Sequence, residues 1–235
     1  MLSVEDVHVR FGGVDALRGV SLEAPTGRVT GLIGPNGAGK TTLFNVITGL
    51  QRPDKGTVHL GDRNLTRKGI RARSRAGLGR TFQRLEVFGS LTVRENVLLA
   101  AELHGYSGSV ADEVLDRIGL APLASQQAGS LPTGTARLLE LARALATRPT
   151  VLLLDEPGSG LDDAESRDLG LLLTRLAAEG MSVLLVEHDV ELVMTTCDHV
   201  YVLDFGQLLA EGTPAEVQAD LQVQTAYLGA EPSLA

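Results

Sequence analysis

The run Gly34-Pro35-Asn36-Gly37-Ala38-Gly39-Lys40-Thr41-Thr42 fits the pattern G-x-x-x-x-G-K-[ST], whose residue types suit one chemistry, the binding of phosphate groups. Glycines lacking Cβ let successive backbone N–H groups converge on phosphate oxygens, and a helix opening after the loop adds partial positive charge. Lys40 brings a mobile full charge to the β- and γ-phosphates, and the Thr41 hydroxyl can hold Mg²⁺. The alternative is a glycine-rich turn with no ligand, and strand, turn, helix and Lys-Thr together favour phosphate. The pattern alone does not separate adenine from guanine nucleotides. A second cluster closes the apolar run Val151-Leu152-Leu153-Leu154 with Asp155-Glu156. Two adjacent acids beyond a strand's C-terminal end permit a division of labour: Asp155 in the Mg²⁺ shell beside Thr41, and Glu156 orienting and polarising an attacking water.

These residues need elements to hold them. Val29 to Ile33 reads as a short buried strand entering the loop, and Thr42 to Leu50 as the helix leaving it. Val151 to Leu154 and Val183 to Val186 are continuous apolar runs ending in acids, as parallel strands covered on both faces require. Residues 1 to 25 alternate instead, which predicts half-buried antiparallel strands. Between about residues 85 and 147 the pattern becomes helical: Thr92-Val93-Arg94-Glu95 is a capping box opening a helix toward Leu103, and Arg137 to Ala146 repeats apolar residues at helical spacing. Thr213-Pro214-Ala215-Glu216 opens another short helix, and a polar tail follows from Ala230. The expected fold is α/β, with a nucleotide-binding core and a helical insertion.

With 235 residues the chain has ample apolar content for a sizeable core. No window reaches the roughly 18 apolar residues of a membrane span, and Glu5 and Asp6 lie where a signal peptide needs its apolar stretch, so the chain is expected in the cytoplasm unless a partner brings it to a membrane. Cys197 is the single cysteine; it forms no internal disulfide and reads as structural. The net charge of −8 argues against a general nucleic-acid binder. Arg63, Arg67, Lys68, Arg71, Arg73, Arg75, Arg80 and Arg84 nevertheless follow one another with no acid among them. They could attract nucleotide or lipid phosphates, but a solvated helix face before Thr81 is the favoured reading.

With loop and acids in this order, the chain resembles the ATP-binding-cassette (ABC) ATPase family almost from end to end. The resemblance implies ATP and Mg²⁺, and a P-loop NTPase core with a mostly parallel sheet, an N-terminal antiparallel β subdomain and an inserted helical subdomain. In one domain spanning 1–235, the core would take 1–84 and 148–235, and the helical part 85–147. Phe11, in Phe11-Gly12-Gly13, lies where the family's adenine-stacking aromatic does, without the usual Tyr hydroxyl. Gln83, in Thr81-Phe82-Gln83, resembles the glutamine that senses Mg²⁺ and water and couples to a membrane partner. Ser159-Gly160-Leu161-Asp162 resembles the D-loop that crosses to a second subunit, and His188, in Val186-Glu187-His188-Asp189, the switch histidine on the γ-phosphate. His8, His59, His104 and His199 read as surface residues.

The resemblance is closest to the ATPase subunits of branched-chain amino acid importers, through Phe11 to Leu17, Leu43 to Gly49, Arg80-Thr81-Phe82-Gln83 and Ala226-Tyr227-Leu228-Gly229. It implies a second ATPase subunit, permease subunits, a solute-binding protein and a place on the inner face of the membrane. One motif departs: the signature loop, usually Leu-Ser-Gly-Gly-Gln, reads Leu131-Pro132-Thr133-Gly134-Thr135. Pro132 lacks the hydroxyl and N–H expected to meet the opposite subunit's γ-phosphate, leaving Thr133 and Gly134 as candidate contacts. This favours a heterodimer in which the partner's signature completes the stronger site. A soluble ABC ATPase acting on DNA or ribosomes would ordinarily carry a coiled-coil insertion or second cassette. A weakly hydrolysing regulatory subunit is the other alternative. No Asn-Lys-x-Asp guanine-selecting motif is present.

Overall fold

The computed structural model describes residues 1–83 and 85–228; Arg84, Gly229 and the tail from Ala230 lie outside them. The alternating N-terminal residues form β1 (Leu2–Phe11) and β2 (Val14–Ala24), paired antiparallel through the Gly12-Gly13 turn. After β3 (Val29–Ile33) and helix α1 (Lys40–Thr48), β4 (Lys55–Leu60) returns to pair with β1, and β5 (Arg63–Asn64) closes a four-stranded antiparallel sheet ordered β2-β1-β4-β5. The helix after the loop starts two residues before the expected Thr42 and stops at Thr48. Gly49 ends it in the left-handed region (φ 82°), its N–H donating to the Val46 carbonyl.

The chain continues through α2 (Ile70–Arg75) and β6 (Leu78–Arg80) into helices α3 (Val93–Leu103), α4 (Gly108–Arg117) and α5 (Thr133–Leu145). It then alternates β7 (Val151–Asp155), α6 (Asp163–Ala178), β8 (Ser182–Val186), α7 (Val190–Thr196), β9 (His199–Asp204), β10 (Gln207–Gly212) and α8 (Pro214–Ala219). The capping boxes read at Thr92 and Thr213 are formed, each hydroxyl accepting from the N–H three residues on. The second sheet runs β10-β9-β3-β8-β7-β6, parallel except for β10.

Both faces of that sheet are buried, which is why its strands read as unbroken apolar runs. Leu152, Leu154, Val183 and Leu185 point into a core shared with α5 and α6, while Val151, Leu153, Leu184 and Val186 point into one shared with α1 and the N-terminal sheet. Periodicity missed β6, which has three residues, and the half-polar edge strand β10. Cys197 packs under β3, where Gly31 leaves room for its sulfur; burial pushes the thiol up to about 12, so it stays protonated and inert at neutral pH.

The basic segment is not one solvated helix face. Its only helix, α2, has six residues, and Arg73 within it is 1% exposed. The Arg73 guanidinium donates to the carbonyls of Val46 and Ile47 at 2.6 Å, closing the C-terminal end of α1, and to Lys68 and Thr66 at 2.8 and 3.0 Å. A cation on the carbonyl end of the helix opposes its negative pole. The Arg80 side chain is buried against the Asp155 carboxylate.

Candidate functional site

The phosphate loop, Gln83, the two acids and His188 follow the C-terminal ends of the parallel strands β3, β6, β7 and β8. After β3 the chain turns through Gly34 to Gly39, and two of these glycines are required by close approach. Gly34 has φ 151°, and a Cβ there would stand 2.0 Å from the Leu203 carbonyl; Gly39, at φ 108°, would meet the Ala16 carbonyl at 2.8 Å. Helix α1 follows with no side-chain cap and no acid in its first turn, so its opening N–H groups and positive end are left to an anion. The Lys40 ammonium reaches back to the Gly34 carbonyl at 2.5 Å and that of Pro35 at 3.0 Å. Burial lowers its pKa, against the nearby negative charges of Glu156 and Asp155. Thr41 is exposed at the same end.

β7 delivers Asp155 and Glu156 to this opening. Asp155 Oδ2 accepts from the Arg80 guanidinium at 2.9 Å, both side chains being under a tenth exposed. Burial raises the Asp155 pKa; the Arg80 hydrogen bond and charge oppose the rise, Glu156 adds to it and Lys40 reduces it. Arg80 also donates to Asn45 Oδ1 at 2.9 Å and Thr48 Oγ1 at 3.2 Å on α1, and lies 4.8 Å from the Phe82 ring centre. It therefore ties the acid to the phosphate-loop helix and to the segment leading to Gln83. Sequence reasoning placed Arg80 among surface cations; its position just before Thr81-Phe82-Gln83 was the signal that it sits at the strand end.

Glu156 is held in the left-handed region, at φ 52°, its N–H donating to the Val186 carbonyl at 2.8 Å. A non-glycine residue in that conformation is strained by about 1–3 kcal/mol, a cost that clusters at functional sites. Its carboxylate joins two candidates from distant segments: Gln83 Nε2 donates to Oε2 at 2.7 Å, and His188 Nε2 lies 2.6 Å from Oε1. Thus Lys40, Asp155, Glu156, Gln83 and His188 form one cluster around the strand ends.

Thr133 and Gly134 are not part of that cluster. They open α5, capped by Pro132 without a side-chain hydrogen bond, and pack against the start of α6. A Cβ on Gly134 would lie 2.2 Å from Glu165 Oε1, and one on Gly160 would lie 3.3 Å from Thr133. Glu165 is engaged in the capping box of α6, accepting from the Asp162 N–H at 3.0 Å. Phe11 closes β1 and is 51% exposed, which leaves its ring available for stacking.

The donor set fits Mg²⁺. Among the described residues no group of three or more His, Cys, Asp or Glu could hold a metal alone, whereas a hydroxyl (Thr41) and a carboxylate (Asp155) are oxygen donors of the kind that share Mg²⁺ with substrate phosphates. Asp155 has one oxygen engaged by Arg80 and the other free for that role.

The family described as "ABC transporter" matches residues 17–159, and that described as "Branched-chain amino acid ATP-binding cassette transporter" matches residues 207–232. The high-affinity branched-chain amino acid transport ATP-binding protein LivG of Salmonella typhimurium is 40% identical, over 97% of this chain and 98% of its own. The lipopolysaccharide export system ATP-binding protein LptB of Acidithiobacillus ferridurans is 38% identical over 91% and 90%. Among solved structures, a nucleotide-free ATP-binding cassette from an ABC transporter superposes with a TM-score of 0.90 at 32% identity, covering 97% and 98% of the two chains. A dimeric cassette bound to ADP and Pi gives 0.80 at 26% identity, over 91% and 99%.

Proposed function

Because the chain belongs to the ABC transporter ATPase family, we propose that it binds ATP with Mg²⁺ and hydrolyses it to ADP and phosphate as one of two nucleotide-binding subunits. The work is import of branched-chain or other hydrophobic amino acids through permease subunits served by a solute-binding protein. The observation that carries the enzymatic reading is Glu156, held between Gln83 and His188, one residue from Asp155 and close enough to Lys40 to act on its charge.

Lys40 is bonded to the loop's own carbonyls. An entering triphosphate offers it stronger, charged acceptors, so the ammonium turns from Gly34 and Pro35 to the β- and γ-phosphates. The base stacks on Phe11, and α1 presents its free N–H groups to the phosphates. Thr41 and Asp155 would hold Mg²⁺, which would supply charge neutralisation at the phosphate oxygens. Both Glu156 oxygens are engaged by Gln83 and His188, so a water reaching the carboxylate displaces one of them; released, Gln83 and His188 can bond the water and the γ-phosphate. Glu156 orients that water and takes its proton as the water oxygen bonds to the γ-phosphorus and the β–γ bridging P–O bond breaks, releasing ADP and phosphate.

Residues 85–147 are proposed to move as a helical subdomain. Between it and the core lies a groove where Leu50, Ile70, Phe82 and Leu103 are each more than 40% exposed, with Arg80 in its wall. Such a patch suits permease docking and would hold the chain at the inner membrane face. Among the described residues no helix is long and apolar enough to cross a membrane. The match at 207–232 favours import over the export for which LptB is named. Pro132, with no N–H or hydroxyl at the mouth of α5, favours a heterodimer whose partner supplies the better signature. Vesicles carrying the permease, both ATPase subunits and the binding protein should take up leucine only with ATP. Uptake of no branched-chain amino acid would overturn the import assignment.

A further inference from the structure

Glu187 is a carboxylate that the mechanism above leaves without a task. It is 3% exposed, and its polar partners are backbone N–H groups: Gly158 donates to Oε1 at 2.5 Å and His188 to Oε2 at 3.2 Å, and the Asp189 N–H adds a further bond from the His188 loop. Those amides belong to two different loops. Gly158 lies two residues after Glu156, where the chain starts toward the D-loop, and His188 follows β8. One carboxylate thus spans the gap between the turn that carries Glu156 and the loop that carries His188. Gly158 must be glycine for this, because a Cβ there would stand 2.9 Å from Glu187 Oε1 and 3.2 Å from Leu192.

We propose that Glu187 is a positioning residue for hydrolysis, a clamp that fixes the strained Glu156 turn against the His188 loop. It thereby sets the Glu156–His188 distance and ties the start of the D-loop to the switch loop of the same subunit. Two backbone contacts hold the strained residue itself, its own N–H on the Val186 carbonyl and the Ser159 N–H on its carbonyl at 3.2 Å, and two residues on the Gly158 amide bonds Glu187. The first joins the turn to the end of β8 and the second is internal to the turn, so Glu187 is the side chain that relates the turn to the His188 amide. A carboxylate suits the task because both oxygens accept. Glutamine has the same shape but offers one acceptor, and its NH₂ would face an N–H in either orientation. The inference rests on the ATPase reading.

The test is Glu187→Gln in the full chain, with Glu187→Asp and Gly158→Ala beside it, followed by ATP affinity, steady-state turnover and the Gly158 and His188 amide resonances. A shift of about 1 Å in a reacting group can cost roughly 100-fold, so turnover in Glu187→Gln is expected to fall at least tenfold. ATP affinity should stay within about twofold, since the clamp touches no phosphate-loop residue. Gly158→Ala, which keeps the carboxylate but pushes it aside, should behave alike, and Glu187→Asp should recover part of the rate. The Gly158 amide, whose short bond to a carboxylate should place it far downfield in the wild type, should move in both Glu187→Gln and Gly158→Ala, and the His188 amide with it. Unchanged turnover with a displaced Gly158 amide would overturn the proposal. Parallel loss of affinity, turnover and cooperative unfolding in all three variants would also overturn it, by making Glu187 a folding residue only. A wild-type chain that binds ATP and releases no phosphate would count against the ATPase reading alone; an unmoved His188 amide in the variants would then overturn the clamp.

Discussion

Replacing Arg80 by Met removes a cation whose side chain is 8% exposed from an aspartate whose side chain is 6% exposed. Methionine fills much of the same volume between Phe44 and Phe82 but offers nothing to Asp155, Asn45 or Thr48. Breaking a buried pair by removing one partner costs about 3–5 kcal/mol, because the remaining charge is uncompensated. With a urea m-value of about 2 kcal/mol per M, the unfolding midpoint of Arg80→Met should drop by roughly 1.5–2.5 M. The loss should depend on pH with a definite sign. Burial raises the Asp155 carboxyl above its ordinary 3.8 and Arg80 holds the rise in check, so removing Arg80 raises it further. Between the unfolded and folded pKa values the native state binds more protons, and stability falls as pH rises. The variant's deficit should therefore be smallest below the unfolded value, where Asp155 is neutral in both states, and should widen upward through the raised range. Combining Arg80→Met with Asp155→Asn removes both charges, and the double variant should be more stable than the summed single losses by roughly 2–3 kcal/mol. A deficit under about 1 kcal/mol, typical of an exposed pair, would refute the reasoning, as would a pH-independent gap or strict additivity.

Phe11→Ala should weaken ATP binding by the value of one base–aromatic stack, about 1–3 kcal/mol, and Phe11→Tyr should not; equilibrium titration with a fluorescent nucleotide reads both. Gly134→Ala puts a methyl group where Glu165 Oε1 would be 2.2 Å away, so the exposed Glu165 side chain should swing aside and give up its capping-box bond to the Asp162 N–H, costing about 1 kcal/mol or less in thermal unfolding; in a Glu165→Ala background the same change should cost nothing further. Pro132→Ser restores a hydroxyl and an N–H at the mouth of α5. In the assembled dimer it should raise turnover at the site this signature completes by about one to two decades, read by single-turnover phosphate release.

The phosphate loop, both acids and the histidine after β8 were legible because each sits where an apolar run meets a fixed residue pattern. The capping boxes at Thr92 and Thr213 were legible for a similar reason, since four consecutive residues contain the whole interaction. Arg73 and Arg80 were not, because a buried arginine satisfied by carbonyls or by an acid 75 residues away looks the same in sequence as one in water. Glu187 was hidden in the same way: its partners are backbone amides, which leave no residue-type signal. Gly134 was read only as a phosphate contact, whereas the packing adds a steric reason for glycine, the approach of Glu165 from α6.

Under the proposed mechanism Glu156 orients and deprotonates the attacking water at a site built to hold ATP independently of it. Glu156→Gln keeps the shape and can still bond Gln83 and His188, but it cannot accept a proton. Measured side by side, nucleotide affinity should stay within about threefold of wild type while phosphate release falls by about 10²–10⁴-fold. Turnover within about threefold of wild type in that variant, with binding intact, would contradict the account.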